Sequence, residues 1–190
     1  MHTLFSTFQF MLLFLLKCGI VVGVWASFSN AQSLKDIKTF SADFTQILYS
    51  NDEGAQNKIT YQGKIQALAP SNLRWSYQTP IPKEIFIQEG VMIVYEPKLK
   101  QAIFTRLQEN MNLLYLLKNA KKITENHYEA TISEQKYDLL LENGIPAKIS
   151  FSDSLGNQVE IYFKNAKINS TIDSALFEFK PTSEIDIIHN

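Results

Sequence analysis

Catalysis needs a titratable or nucleophilic side chain held beside a partner, and this 190-residue chain offers few. Its three histidines are His2, His127 and His189, and its single cysteine is Cys18. A Ser-His-Asp arrangement would have to be built on His127, which lies in a polar stretch just before a strand pattern. His127 and His189 are far apart and no cysteine accompanies them, which argues against a tetrahedral zinc site. No G-x-S-x-G elbow, P-loop, G-x-G-x-x-G or H-E-x-x-H occurs. The carboxylates are scattered, and Asp43, set among apolar neighbours, reads as an outward-facing strand residue. Asn169-Ser170-Thr171 is a formal glycosylation sequon and reads as chance. These residues predict no enzyme, no cofactor and no metal.

What the chain has in quantity is apolar and aromatic side chains, with 13 Phe, 8 Tyr and 2 Trp. In Leu73-Arg74-Trp75-Ser76-Tyr77-Gln78, the residues Leu73, Trp75 and Tyr77 fall on one face of a strand and Arg74, Ser76 and Gln78 on the other. Similar alternation, broken by turn signals, runs from Phe40 almost to the C-terminus. It predicts an antiparallel sheet with one apolar face and one wet face.

The elements follow from this punctuation. Ser33 to Lys38 reads as a short amphipathic helix capped by Ser33, with Leu34 and Ile37 on one side. Strands are predicted over 40–49, 59–69 and 72–78, the last ended by Thr79-Pro80-Ile81-Pro82. Glu89-Gly90 is a hairpin signal between 84–88 and 91–95, and 101–107 follows Glu96-Pro97. Over 109–118 the period changes, and Leu113, Leu114, Leu116 and Leu117 predict a helix apolar over more than half its circumference. Strands resume at 128–132, 136–141, 145–152 and 158–167, with a short last one at 177–179. About eleven strands and two short helices make a mainly β (α+β) protein. A sheet that large curls under its own twist into an incomplete, unclosed antiparallel barrel, and its lining encloses a hydrophobic cavity if the side chains do not meet across the middle.

The first residues read differently. The stretch from Phe10 to Phe28 is mostly apolar with one charge, Lys17, and small residues follow at Ser29 and Ala31. That pattern predicts an export signal over 1–31, cleaved near Ala31, with Met1 or Met11 as the start. Leu16-Lys17 before Cys18 does not make a lipidation box. Removal of the signal takes the cysteine with it, so residues 32–190 form one domain that must stand on its core without disulfides. Its 17 basic and 19 acidic residues are interspersed, and the strongest cationic cluster, 118–122, is too short for a nucleic-acid surface.

Several segments read together resemble the LolA family of periplasmic lipoprotein carriers. They are Phe40-Ser41-Ala42-Asp43-Phe44-Thr45-Gln46, Pro70-Ser71-Asn72-Leu73-Arg74-Trp75, Gly90 through Pro97 followed by Gln101-Ala102, Gly144-Ile145-Pro146, and Phe177-Glu178-Phe179-Lys180-Pro181 with Asp186-Ile187-Ile188. The resemblance spans nearly all of 32–190. It implies a helical lid over the cavity, acylated lipoproteins as cargo, an ATP-driven inner-membrane complex that loads the carrier, an outer-membrane receptor where one exists, and a monomer in the periplasm. It also implies an arginine before the proline that helps fasten the lid. This chain has Ala69 there, and Arg106, on the face of Phe104, is the candidate substitute.

Alternation assigns Phe44, Leu73, Trp75, Tyr77, Ile93, Tyr95, Phe104, Phe151 and Phe163 to the cavity wall, with Leu113, Leu116 and Leu117 from the lid. Each could instead be an ordinary core residue. The rival function is an envelope sensor that binds lipid or peptide in the same half-barrel without ferrying it.

Overall fold

The computed structural model describes residues 33–52, 55–107 and 112–189. The export signal read over 1–31 lies outside the described residues. Twelve strands form one sheet: β1 (Thr39–Asp52), β2 (Ala55–Leu68), β3 (Asn72–Thr79), β4 (Lys83–Gln88), β5 (Val91–Glu96), β6 (Gln101–Arg106), β7 (Lys121–Lys122), β8 (His127–Ile132), β9 (Gln135–Glu142), β10 (Ile145–Ser152), β11 (Gln158–Ile168) and β12 (Asp186–His189). Their order is β12-β6-β5-β4-β3-β2-β1-β11-β10-β9-β8-β7. Every neighbouring pair is antiparallel except β12 with β6, which is parallel. The two end strands, β12 and β7, do not pair with one another, so the curled sheet stays open.

The turns are where the sequence puts them. At Glu89-Gly90 both residues take positive φ, 50° and 78°, and Asn143-Gly144 repeats this with 52° and 78°. Two consecutive left-handed residues are the type I′ geometry whose twist matches the flanking strands. In place of the short N-terminal helix is a single 3-10 turn, Leu34–Asp36, in which Ser33 Oγ accepts from the Lys35 amide. Leu34 and Ile37 are both buried beneath it. The asparagine of the sequon, Asn169, ties down the chain entering β1, because its Oδ1 accepts from the Lys38 amide at 2.7 Å.

The concave face is continuous from Leu73, Trp75 and Tyr77 on β3, through Ala67, Ile65 and Gly63 on β2, to Phe40, Ala42 and Phe44 on β1. It continues over Phe163 and Ile161 on β11 to Ile149 and Leu139. Phe40 and Phe163 meet edge to face with ring centroids 5.1 Å apart. The solvent face carries the ions. Asp43 accepts from Lys64 at 2.8 Å and from Asn165, and these two bonds hold its carboxyl below the usual carboxylate range. Lys148 pairs with Glu160 at 2.6 Å.

The far half of the sheet departs from the sequence reading. The strand predicted at 177–179 is instead the end of a 3-10 turn, Ser174–Phe177, and the twelfth strand lies further on at Asp186–His189. This C-terminal segment crosses the outer face of the sheet. Phe179 touches Phe86 (5.6 Å between centroids), Tyr95 (5.4 Å) and Phe104 (6.0 Å). Arg74 lies over the Phe86 ring and pairs with Glu84 at 3.1 Å. Strands β4 to β6 are therefore apolar on both faces, and Phe177 is fully buried. Phe177→Ala should destabilise the protein by about 3–5 kcal/mol, read as a fall in the urea midpoint. A shift under about 0.5 kcal/mol, the ordinary range of surface substitutions, would show that the C-terminal segment is not part of the cooperative fold.

Candidate functional site

A cavity of about 340 Å³ lies on the concave side, between the sheet and helix α1 (Leu113–Asn119). Leu73, Trp75 and Tyr77 of β3 form one wall, and Ile85, Ile87 and Met92 of β4 and β5 extend it. The opposite wall is Ile132, Tyr137, Ile149, Phe151 and Ile161, and Gln46 of β1 joins the two. Leu113, Leu116 and the cap residue Asn112 form the roof.

Helix α1 exists because four leucines crowd its inward side and Asn112 starts it. The Asn112 Oδ1 accepts from the Tyr115 amide at 2.9 Å, which satisfies one of the amides left without a partner at a helix start. Leu113, Leu114, Leu116 and Leu117 are all buried, while Tyr115 faces outward. The roof packs on the N-terminal 3-10 turn, β8 and β2. Four buried leucines seat it, each contributing on the order of 1.5–3 kcal/mol of apolar burial.

Trp75 is stacked parallel to Tyr77 with centroids 6.0 Å apart, and Phe44 meets each ring edge-on, at 5.4 and 5.1 Å. The Tyr77 hydroxyl donates to Gln46 Oε1 at 2.8 Å, and burial, with Tyr61 nearby, pushes its pKa well above the tyrosine range. Burial also raises that of Tyr137, whose ring lies 5.0 Å from Phe151. No Lys, Arg, His, Asp or Glu lines the cavity among the described residues.

Of the twelve residues assigned from sequence, Leu73, Trp75, Tyr77, Leu113, Leu116 and Phe151 line this space. Phe44 and Phe163 share the concave face and Leu117 lies on the buried side of α1, but all three are packed core, at 3%, 7% and 0% exposed. Ile93, Tyr95 and Phe104 are on the other side of the sheet. The register pairs Trp75 with Ile85, Ile85 with Val94 and Val94 with Ile103, so these inward positions leave Ile93, Tyr95 and Phe104 outward, against Phe179. Arg106 follows Phe104 outward and is exposed, so it does not reach the lid in place of an arginine at Ala69. Ala69 itself packs partly buried against the core.

Sequence reasoning missed Ile85, Ile87 and Met92. The signal was available: a two-residue hairpin at Glu89-Gly90 places Met92 opposite Ile87, and chaining that register from Trp75 fixes the face. Asn112 carried a cap signal that went unread, being a polar residue directly before a leucine run. His127 lies on the face away from the cavity, its Nε2 3.0 Å from Asp138 Oδ1 and close to Glu129, whose carboxylate is paired with Lys136 at 3.0 Å.

Such a site can hold a flexible apolar ligand. The model of the family described as outer membrane lipoprotein carrier protein LolA matches residues 35–142. An outer-membrane lipoprotein carrier protein of Wolinella succinogenes is 38% identical over 168 residues, covering 87% of this chain and 96% of the relative. One from Helicobacter pylori strain HPAG1 is 36% identical over 156 residues, covering 82% of each. Among solved structures, a LolA superfamily protein from Nitrosomonas europaea is 11% identical, covers 76% of this chain and 91% of its own, and superposes with a TM-score of 0.41. With a family model matched over more than half the chain and relatives this similar over most of their length, the chain belongs to the LolA family of outer membrane lipoprotein carrier proteins.

Proposed function

We propose that the protein is a periplasmic carrier that shelters the acyl chains of lipoproteins between the inner and outer membranes. The observation that carries this reading is the roofed cavity, whose lining among the described residues carries no charge. The curated relatives are named as carriers, which favours ferrying over sensing. An ATP-driven complex of the inner membrane loads the carrier, an outer-membrane receptor unloads it where one is present, and the protein works as a monomer without catalysis. The acyl-binding residues are Leu73, Trp75, Tyr77, Met92, Leu113, Leu116 and Phe151, with Phe44, Leu117 and Phe163 as the packed support behind them.

Size and energy fit a carrier that must also release. If a methylene takes the ~30 Å³ that a water takes in the liquid, the closed cavity holds part of one acyl chain. Cargo with several chains requires the lid to move. A buried methylene contributes about 0.8 kcal/mol, so a sixteen-carbon chain represents roughly 13 kcal/mol. Full capture of three would pass the roughly 20 kcal/mol ceiling of noncovalent affinity and would never let go. A loose pocket that captures a fraction of this is what delivery demands.

The test is to purify the soluble protein from the periplasm of cells expressing the full chain and search it by mass spectrometry for bound lipid-modified polypeptides. Acylated lipoproteins recovered with it are the expected result. Recovery of the protein without any acylated polypeptide, from cells whose spheroplasts release lipoproteins equally well without it, would overturn the reading.

A further inference from the structure

Five lysines of this surface are held by carboxylates: Lys64 by Asp43, Lys100 by Glu184, Lys136 by Glu129, Lys148 by Glu160 and Lys180 by Glu178. Five others, on the lid side of the molecule, are not. Lys35 is in the N-terminal 3-10 turn and Lys38 just after it, Lys118 is on α1, and Lys121 and Lys122 form β7. All five are exposed, and none is ion-paired to a described residue. The turn packs against α1, and α1 runs almost directly into β7, so the five lie on adjoining elements.

Segments 33–38 and 115–125 set these five lysines against only Asp36 and Glu125, a formal charge of +3, whereas residues 32–190 as a whole carry −2. Glu129, opposite Lys121 in the register, is taken by Lys136. Two exposed apolar side chains accompany the lysines. Tyr115, 39% exposed, is one helical turn before Lys118, and Ile123, 52% exposed, directly follows Lys122. No arginine is present in either segment. A lysine is a hydrated point charge on a flexible stem and needs no fixed acceptor geometry, unlike the planar fork of arginine.

Unpaired lysines beside an exposed tyrosine and isoleucine suit a surface that is anionic, fluid and apolar just beneath. Lysines meet phosphates there without a set register, tyrosine is at home at the headgroup level, and an aliphatic side chain dips below it. We propose that the lid side docks on an anionic phospholipid bilayer, with Lys35, Lys38, Lys118, Lys121 and Lys122 on lipid phosphates and Tyr115 and Ile123 at the interface. The uneven charge also orients the molecule, because the lid side is drawn to such a surface while the acidic remainder is repelled. Each lysine close to the bilayer contributes about fivefold in binding. This goes beyond the carrier reading and requires nothing bound in the cavity.

The experiment is vesicle flotation of protein from cells expressing the full chain, with vesicles of phosphatidylcholine alone and of phosphatidylcholine mixed with phosphatidylglycerol. The unmodified protein should bind the mixed vesicles at least about tenfold better than the neutral ones, and lose the difference at about 0.5 M salt, where charges are screened within roughly 4 Å. The triple variant Lys118→Gln, Lys121→Gln, Lys122→Gln should bind the mixed vesicles about a hundredfold more weakly, and the double variant Lys35→Gln, Lys38→Gln about twentyfold. The control is Lys58→Gln, Lys98→Gln, Lys164→Gln, which removes the same net charge at exposed lysines elsewhere and should change binding little. Equal weakening by the two triple variants overturns the assignment to the lid side. Equal binding to neutral and mixed vesicles, or none to either, overturns bilayer docking. If lipoprotein release from spheroplasts then still falls in the lid-side triple variant, the lysines meet an acidic protein instead. None of these outcomes involves cargo in the cavity, so the carrier reading stands or falls separately.

Discussion

Trp75→Glu is expected to lower acyl-chain affinity by at least a hundredfold and to abolish lipoprotein release from spheroplasts, while the sheet still forms. The indole is part of the cavity wall and is held there by Tyr77 stacked at 6.0 Å and Phe44 edge-on at 5.4 Å. A carboxylate in its place faces the ligand across an apolar lining in which no described residue is a cation. A hundredfold loss corresponds to about 2.8 kcal/mol, well within what an uncompensated buried charge costs. One side of Trp75 faces the cavity, so the truncation opens less new void than a fully packed tryptophan would. The destabilisation should sit at or below the low end of the roughly 3–5 kcal/mol seen for aromatic truncations in closed cores. Far-UV circular dichroism and a urea titration separate the two effects. Normal release by a folded Trp75→Glu protein would remove this wall from the site.

The architecture was readable in the sequence where one face of each strand is wet. On β3, the alternation of Leu73, Trp75 and Tyr77 with Arg74, Ser76 and Gln78 reports a strand with one covered face, and the structure has it so. On β5 the run Val91-Met92-Ile93-Val94-Tyr95 is apolar throughout, because the C-terminal segment covers the outer face with Phe179. A strand buried on both sides has lost the period-2 signal, and composition alone cannot say which side is the cavity. Only register carries that information, from Trp75 to Ile85 to Val94. Phe177-Glu178-Phe179 misled for a related reason. Alternating aromatics fit a strand, but here they serve a 3-10 turn and an extended cover, and the strand is formed by Asp186–His189 alongside β6. The lid helix was legible from its leucines, while the role of Asn112 needed the three-dimensional proximity of cap and cavity.

A strand seldom keeps a glycine in its interior without a geometric reason, and Gly63 has one, from which the largest stability effect follows. It lies on β2 directly opposite Phe44 of β1 and Tyr77 of β3, next to an irregularity in the β2–β3 pairing between Gln62 and Gly63. A Cβ built there would come within 1.9 Å of the Ser76 carbonyl oxygen and 2.9 Å of Phe44 Cε1. The first of these is backbone and cannot swing aside. The empty position on β2 is also what lets the Phe44 ring lie across it and brace Trp75 and Tyr77 edge-on. Gly63→Ala must therefore push β3 away from β2 or displace Phe44, and either movement disturbs the wall that the cavity depends on. Overpacking of a core by a methylene or two costs about 1–3 kcal/mol when side chains can adjust. With a backbone carbonyl in the way, Gly63→Ala is expected to exceed about 3 kcal/mol, and Gly63→Val to prevent accumulation of folded protein. Expression level and the urea midpoint measure this directly. A Gly63→Ala protein with an unchanged midpoint would mean that β2 and β3 do not approach so closely here, and that Phe44 is not locked behind the tryptophan.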